Sequence, residues 1–68
     1  MPIIEMHLMT GRTVEQKRRA VGAIAEAAAT ALGVSKDTVR ILITEHGLED
    51  FAVAGVTIGE RSEKKPQP

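Results

Sequence analysis

The spacing of apolar residues changes twice along this chain, and that change limits the possible fold more than any other feature. Side chains alternate with a period of two over Ile3–Met9, which predicts a strand. From Val14 to Leu32 the apolar positions recur at helical intervals, and β-branched residues return over Thr38–Glu45. Strand, helix and strand predict an α/β (α+β) fold built on one βαβ unit, with parallel strands and a right-handed crossover.

Turn and cap residues mark where these elements end. Thr13 and Gln16 have the spacing of a capping box at the start of the helix, and Gly33 fits a left-handed cap at its end. Residues Ala52–Ile58 place β-type side chains around a glycine turn, which predicts a short hairpin or an arm. Because Glu60–Pro68 is charged and contains no apolar residue, we expect one domain over 1–59 and a disordered tail over 60–68.

The small size of the chain predicts an oligomer. With 68 residues and no cysteine, it has neither the length for a large core nor the means to form a disulfide. A two-stranded sheet with one helix also leaves one face uncovered, although apolar residues alternate on both faces of the second strand. We therefore expect another subunit to cover that face.

Composition excludes several classes of partner. Nine basic residues balance nine acidic ones and the chain has a single aromatic residue, which argues against nucleic-acid binding. No apolar run is long enough to span a membrane, and no secretory leader precedes the first strand. His7 and His46 match no metal-ligand spacing, so surface or interface packing is expected for both. A cytoplasmic location is the default expectation.

Pro2 is the first candidate for chemistry. Methionine is commonly removed before so small a residue, and the new N-terminus would then be a secondary amine that can act as a base. Apolar burial and nearby cations both lower the pKa of such an amine and make its neutral form available. The alternative is that Pro2 only begins an edge strand, where its missing N–H has no cost.

Four further residues allow two interpretations each. Arg12 precedes the helix and either contacts an anion or is an exposed loop charge. Arg40 lies inside an apolar run, where it forms either a structural ion pair or a ligand contact. Phe51 is either part of the core or the wall of a small pocket. Lys17 forms a basic run with Arg18 and Arg19, and this run is expected to be a solvated helix face rather than a nucleic-acid patch.

The topology separates these candidates into two groups. In a parallel βαβ unit both strands start at the same edge, so Pro2 and Thr38–Arg40 lie together. Arg12 and Phe51 lie beyond the opposite ends of the strands. Because ten extended residues span at most about 33 Å, Arg12 cannot readily reach Pro2 of its own chain. A site that uses all of these residues must be shared between subunits.

In combination, the motifs identify a family resemblance. From Pro2 to about Ile58 the chain resembles the 4-oxalocrotonate tautomerase family, the short-chain members of the tautomerase superfamily. The matching motifs are Pro2-Ile3-Ile4, Gly11-Arg12-Thr13 before Glu15-Gln16-Lys17, Val39-Arg40-Ile41-Leu42-Ile43-Thr44-Glu45, and Phe51 before Val53-Ala54-Gly55. The second glycine of the family's Gly-Gly turn is kept as Gly55, whereas the first position is Ala54.

This resemblance implies a function and a role for each candidate. It implies a cofactor-independent tautomerase acting on enols of unsaturated 2-hydroxy dicarboxylic acids, such as 2-hydroxymuconate, in aromatic hydrocarbon catabolism. Pro2 would be the general base, and Arg40 would hold and polarise the 2-hydroxy or 2-oxo acid end. Arg12 would bind the far carboxylate, and Phe51 would be a hydrophobic wall that keeps the amine neutral. The implied assembly is a homohexamer, with no metal and no organic cofactor.

Two alternatives to tautomerisation stay open. One is dehalogenation or hydration of 3-substituted acrylates on the same scaffold. The resemblance implies that such relatives carry a water-activating carboxylate where this chain has Val53, so tautomerisation is favoured. The other alternative is a non-catalytic assembly subunit whose proline and arginines are structural.

Overall fold

The structure is a computed structural model that describes residues 1–64. None of the helices in this part of the chain is long and apolar enough to cross a membrane. The elements in chain order are β1 (Ile3–Met9), α1 (Val14–Leu32), a single 3-10 turn (Lys36–Thr38), β2 (Arg40–His46), β3 (Ala52–Val53), β4 (Val56–Thr57) and α2 (Ile58–Lys64).

The two long strands form the parallel pair that the sequence predicts. Ile3 is the partner of Arg40, and the register runs without interruption to Met9 and His46. β2 starts two residues later than predicted, because Ser35 begins the 3-10 turn that Thr38 ends. The Thr38 hydroxyl donates to the Ser35 carbonyl at 2.7 Å, and this local bond competes with an extended backbone.

Both predicted ends of α1 are confirmed. The Thr13 hydroxyl accepts from the Gln16 backbone N–H at 3.0 Å, and the Gln16 side chain accepts from the Thr13 N–H at 2.9 Å. Gly33 adopts the left-handed conformation with φ 70° and ψ 36°, and its N–H reaches the Ala29 carbonyl. These bonds satisfy backbone groups that would otherwise have no partner at the helix ends.

One sheet face is covered by α1 and the other is open. Ile4 and Ile41 lie on the covered face and are half-buried. Ile3 and Leu42 lie on the open face and are 64% and 51% exposed. Within residues 1–64, Ala29 is the only buried hydrophobic residue. The radius of gyration is 16.1 Å, whereas a compact domain of this length has about 11 Å. A single chain therefore buries few apolar side chains fully and leaves nine large ones exposed.

The C-terminal helix α2 corrects the sequence analysis. The expected disordered tail is wrong for residues 60–64, since they belong to α2, and residues 65–68 lie outside the described part. The sequence signal that was missed is a second capping box. Glu60 accepts from the Thr57 N–H at 3.0 Å, and the Glu60 N–H donates to the Thr57 hydroxyl at 3.1 Å.

The hairpin of β3 and β4 turns at two residues with positive φ. Val53 pairs with Val56, and the turn between them has φ 55° at Ala54 and φ 79° at Gly55. Two-residue hairpin turns with positive φ at both positions match the twist of the flanking strands. Alanine is strained in this conformation because its Cβ approaches the backbone, whereas glycine is not.

We expect Ala54→Gly to stabilise the protein by roughly 0.5–1 kcal/mol, because it removes this strain. The measurement is the melting temperature at a fixed protein concentration. Ala52→Gly is the matched control, since it makes the same chemical change in β3 and should lower the melting temperature. A lower melting temperature for Ala54→Gly would show that the turn is not strained.

Candidate active site

The structure brings Pro2 and Arg40 together at the starting edge of the sheet. The Arg40 N–H donates to the Pro2 carbonyl at 2.9 Å, directly before the register of β1 and β2 begins. Pro2 is half-buried, whereas the Met1 residue that acylates its nitrogen is 77% exposed. Since an amide nitrogen is not basic, Pro2 can act as a base only after Met1 has been removed.

The Arg40 side chain extends from the open face of the sheet. Its Nη1 donates to the Asp37 carbonyl at 2.8 Å, a contact with the 3-10 turn directly before β2. No carboxylate among residues 1–64 forms an ion pair with Arg40. The structural ion pair considered for this residue is therefore not formed within the described chain. Because a carbonyl carries no formal charge, the guanidinium can still bind an anion.

Arg12 lies at the opposite end of the unit. It follows β1 in the loop that leads into α1, and it makes no ion pair with another described residue. A shallow cavity of about 210 Å³ lies beside it, lined by Leu8, Arg12, Gln16, Lys17 and Ala20. An unpaired cation beside a mainly apolar cavity can bind the carboxylate of a small organic acid.

Phe51 also lies beyond the far ends of the strands. It precedes β3, its side chain is 45% exposed, and its carbonyl accepts from the Ile58 N–H at 2.9 Å. That exposure does not agree with the core interpretation for the isolated chain. β1 contains seven residues, which separate this end from Pro2 by about 23 Å at 3.3 Å per residue. One chain therefore holds two separate groups of candidate residues, Pro2 with Arg40 and Arg12 with Phe51, which we call the two half-sites.

Lys17 differs from its predicted role as part of a solvated helix face. Its Nζ lies 3.0 Å from Glu45 Oε1, and the two side chains are only 27% and 37% exposed. This pair joins α1 to β2 beside the Arg12 cavity. Arg19 does fit the predicted solvated face, since it pairs with Glu15 while both side chains are mostly exposed. The sequence feature that could have indicated this contact is the position of Lys17 on the apolar stripe of α1.

His7 and His46 meet on the open sheet face. Their Nδ1 and Nε2 atoms are 2.8 Å apart, and their rings stack with centroids separated by 5.0 Å. The described residues contain no group of three or more His, Cys, Asp or Glu side chains that could hold a metal ion. The position agrees with the surface or interface packing expected from the sequence.

Comparisons with known proteins agree with this arrangement. A family model described as "Tautomerase enzyme" matches residues 2–61. A 2-hydroxymuconate tautomerase of Pseudomonas sp. (strain CF600) is 38% identical over 55 residues, which are 81% of this chain and 87% of that protein.

Two solved structures are also similar. One comes from a study of 4-oxalocrotonate tautomerase isozymes of Methylibium petroleiphilum. It is 56% identical, with a TM-score of 0.90, over 94% of this chain and all of that one. The other is a heterohexamer 4-oxalocrotonate tautomerase of Chloroflexus aurantiacus, 32% identical with a TM-score of 0.83 over 88% and 97% of the two chains. The family model, the similar sequences and the shared fold together establish that this chain belongs to the tautomerase family.

Proposed function

We propose that the chain interconverts enol and keto forms of unsaturated 2-hydroxy and 2-oxo dicarboxylic acids, with 2-hydroxymuconate as the test substrate. The observation that carries the proposal is the position of Pro2 beside Arg40 at the start of the sheet. There the Arg40 backbone N–H donates to the Pro2 carbonyl, and the Arg40 guanidinium has no carboxylate partner in residues 1–64. The similarity to the 2-hydroxymuconate tautomerase of Pseudomonas and to both 4-oxalocrotonate tautomerase structures supports the same reaction class.

Each candidate residue has one role in this reaction. The free Pro2 nitrogen accepts the proton of the 2-hydroxy group and returns a proton to carbon, so the substrate is isomerised without net loss. Arg40 holds the acid end next to that group and stabilises the charge that develops on oxygen. Arg12 binds the far carboxylate and draws electron density towards it. Phe51 excludes water from the amine. The reaction needs no metal and no organic cofactor.

The two half-sites require an assembly. We propose a homohexamer, in which Arg12 and Phe51 of one subunit complete the site at Pro2 of another. The separation of about 23 Å within one chain supports this proposal, given seven residues in β1. The exposed Ile3 and Leu42 on the open sheet face support it further. A cytoplasmic location and a place in aromatic hydrocarbon catabolism stay predictions.

The alternatives have less support. Hydration or dehalogenation of an acrylate requires a carboxylate to activate water, and Val53 has none; its side chain is 50% exposed at the turn of the hairpin. A non-catalytic assembly subunit would not need cations without carboxylate partners at both ends of the unit. Turnover of 2-hydroxymuconate by the purified chain separates this last alternative from the proposal.

The first prediction from the proposed function concerns the Pro2 amine. In the proposed assembly the Phe51 ring would exclude water from the amine, and Arg12 and Arg40 would add positive charge. Both effects disfavour the protonated form, so we expect the amine pKa to lie below the ordinary range of an N-terminal amine. Since the neutral amine is the active form, kcat/KM should rise with pH as the amine loses its proton. The measurement is a pH profile of tautomerisation, with loss of Met1 verified by mass spectrometry. Full activity of a chain that retains Met1 would exclude the amine as the base.

The second prediction concerns the two arginines. We expect Arg12→Ala and Arg40→Ala to lower kcat/KM by roughly 30- to 900-fold, the equivalent of about 2–4 kcal/mol of transition-state stabilisation. Arg18→Ala is the matched control and should keep its activity, because Arg18 is an exposed residue on α1. If Arg40→Ala dissociates the assembly as well, the structural interpretation of Arg40 is the better one.

The third prediction concerns the open sheet face. Leu42→Glu should dissociate the assembly, because it places a charge where an apolar side chain is buried against another subunit. Sedimentation velocity at micromolar concentration measures the change. Thr30→Glu, on the exposed side of α1, is the control that should leave the assembly intact. A folded wild-type monomer under these conditions would contradict the proposed assembly.

A further inference from the structure

The loop that carries Phe51 is held by the first turn of α2. The Ile58 N–H donates to the Phe51 carbonyl at 2.9 Å, and the Gly59 N–H donates to the Leu48 carbonyl at 3.1 Å. The first N–H groups of a helix have no partner inside the helix. In α2 two of these N–H groups donate to loop carbonyls, and the two carbonyls flank residues 49 and 50. We call residues 57–60 with these two bonds the α2 clamp.

Thr57 and Glu60 fix the direction of these N–H groups. The Glu60 carboxylate accepts from the Thr57 N–H at 3.0 Å and from the Thr57 hydroxyl at 3.3 Å, while the hydroxyl accepts from the Glu60 N–H at 3.1 Å. All three bonds are partly buried, so water competes weakly for them. A helix of seven residues is too short to be stable by itself. Its first turn therefore depends on this capping box and on its contacts with the rest of the chain.

The packing around Gly59 leaves little space inside the clamp. Gly59 is buried, and a Cβ added there would collide with the Glu49 carboxylate and lie 3.4 Å from Leu48 Cβ. Arg61 adds a bond from its Nη2 to the Val53 carbonyl at 3.0 Å, on the other side of Phe51. The loop and β3 are thus tied to α2 at three carbonyls, those of Leu48, Phe51 and Val53.

We infer that Glu60, acting through Thr57 and the α2 clamp, is a positioning residue for Phe51 and thereby sets the polarity around the Pro2 amine. Phe51 has little packing of its own in the chain, since its side chain is 45% exposed. The bond from the Ile58 N–H to the Phe51 carbonyl restrains the backbone of Phe51, and the backbone conformation limits the rotamers open to the ring. This inference rests on the proposed role of Phe51 as the wall beside Pro2.

The test uses Glu60→Ala, which removes the capping carboxylate, with Glu63→Ala as its matched control. Glu63 is exposed on the same helix, so its replacement makes the same change of charge. Glu60→Gln should behave like the wild type, because an amide oxygen can accept the same hydrogen bonds. Thr57→Val is a second variant, which removes the hydroxyl but keeps the shape of the side chain.

Two measurements distinguish a failure of this inference from a failure of the proposed function. Phe51 is the only Phe in a chain without Tyr or Trp, so its ring protons are easily identified by NMR in the intact assembly. Glu60→Ala and Thr57→Val should shift these ring signals, whereas Glu63→Ala and Glu60→Gln should not. Unchanged ring signals in both Glu60→Ala and Thr57→Val would overturn the clamp, whatever the activity.

The second readout is the pH profile of kcat/KM. Phe51→Ala is expected to admit water to the amine and move the profile to higher pH. Glu60→Ala should move it in the same direction and lower kcat/KM at pH 7 by about fivefold, the equivalent of a helix cap worth about 1 kcal/mol. The double variant should match Phe51→Ala alone, because the clamp has no ring left to position. Additive effects would overturn the inference. Suppose that Phe51→Ala leaves the pH profile unchanged while Glu60→Ala shifts the Phe51 ring signals. The proposed role of Phe51 beside Pro2 would then be wrong, and the role of the α2 clamp in positioning Phe51 would be confirmed.

Discussion

The structure depends on a sheet that has two strands and only one helix to cover it. The parallel pairing of β1 and β2 satisfies backbone hydrogen bonds, but it leaves one face and both edges of the sheet without cover. In residues 1–64 the only buried hydrophobic residue is Ala29, while Ile3, Leu42 and Phe51 are exposed. Hydrophobic burial is the dominant favourable term in folding. A chain that buries so little apolar surface within one subunit must bury more of it between subunits.

The partners of the basic side chains show which of them are neutralised within the chain and which can still bind an anion. Lys17 and Glu45 are both partly covered and 3.0 Å apart, and they neutralise each other between α1 and β2. Arg40 makes its contact with the neutral carbonyl of Asp37, which directs the guanidinium without cancelling its charge. An anionic substrate would therefore meet less competition at Arg40 than at Lys17. The difference follows from the type of acceptor rather than from distance, since both contacts are close to 3 Å.

Most of the fold was predictable because its signals are local. The two long strands, the helix and both of its caps follow from spacing and from residues such as Thr13 and Gly33. The 3-10 turn before β2 was missed because the hydrogen bond from the Thr38 hydroxyl to the Ser35 carbonyl overrides a β-branched pattern. The helix α2 was missed because its composition is that of a charged tail. Its signal is one Thr–Glu spacing, at Thr57 and Glu60, placed directly after a strand.

The site was only partly predictable, and for a different reason. Pro2 and Arg40 could be placed together because a parallel register follows from the crossover, and Ile3 does pair with Arg40. Arg12 and Phe51 could be placed at the opposite end, but no residue pattern within one chain states how a second subunit approaches. That information lies in the shape of the open sheet face, which depends on side-chain packing rather than on spacing. Hence one sequence can specify each group of candidate residues locally, while the distance from Pro2 to the Arg12 of another subunit depends on how the subunits assemble.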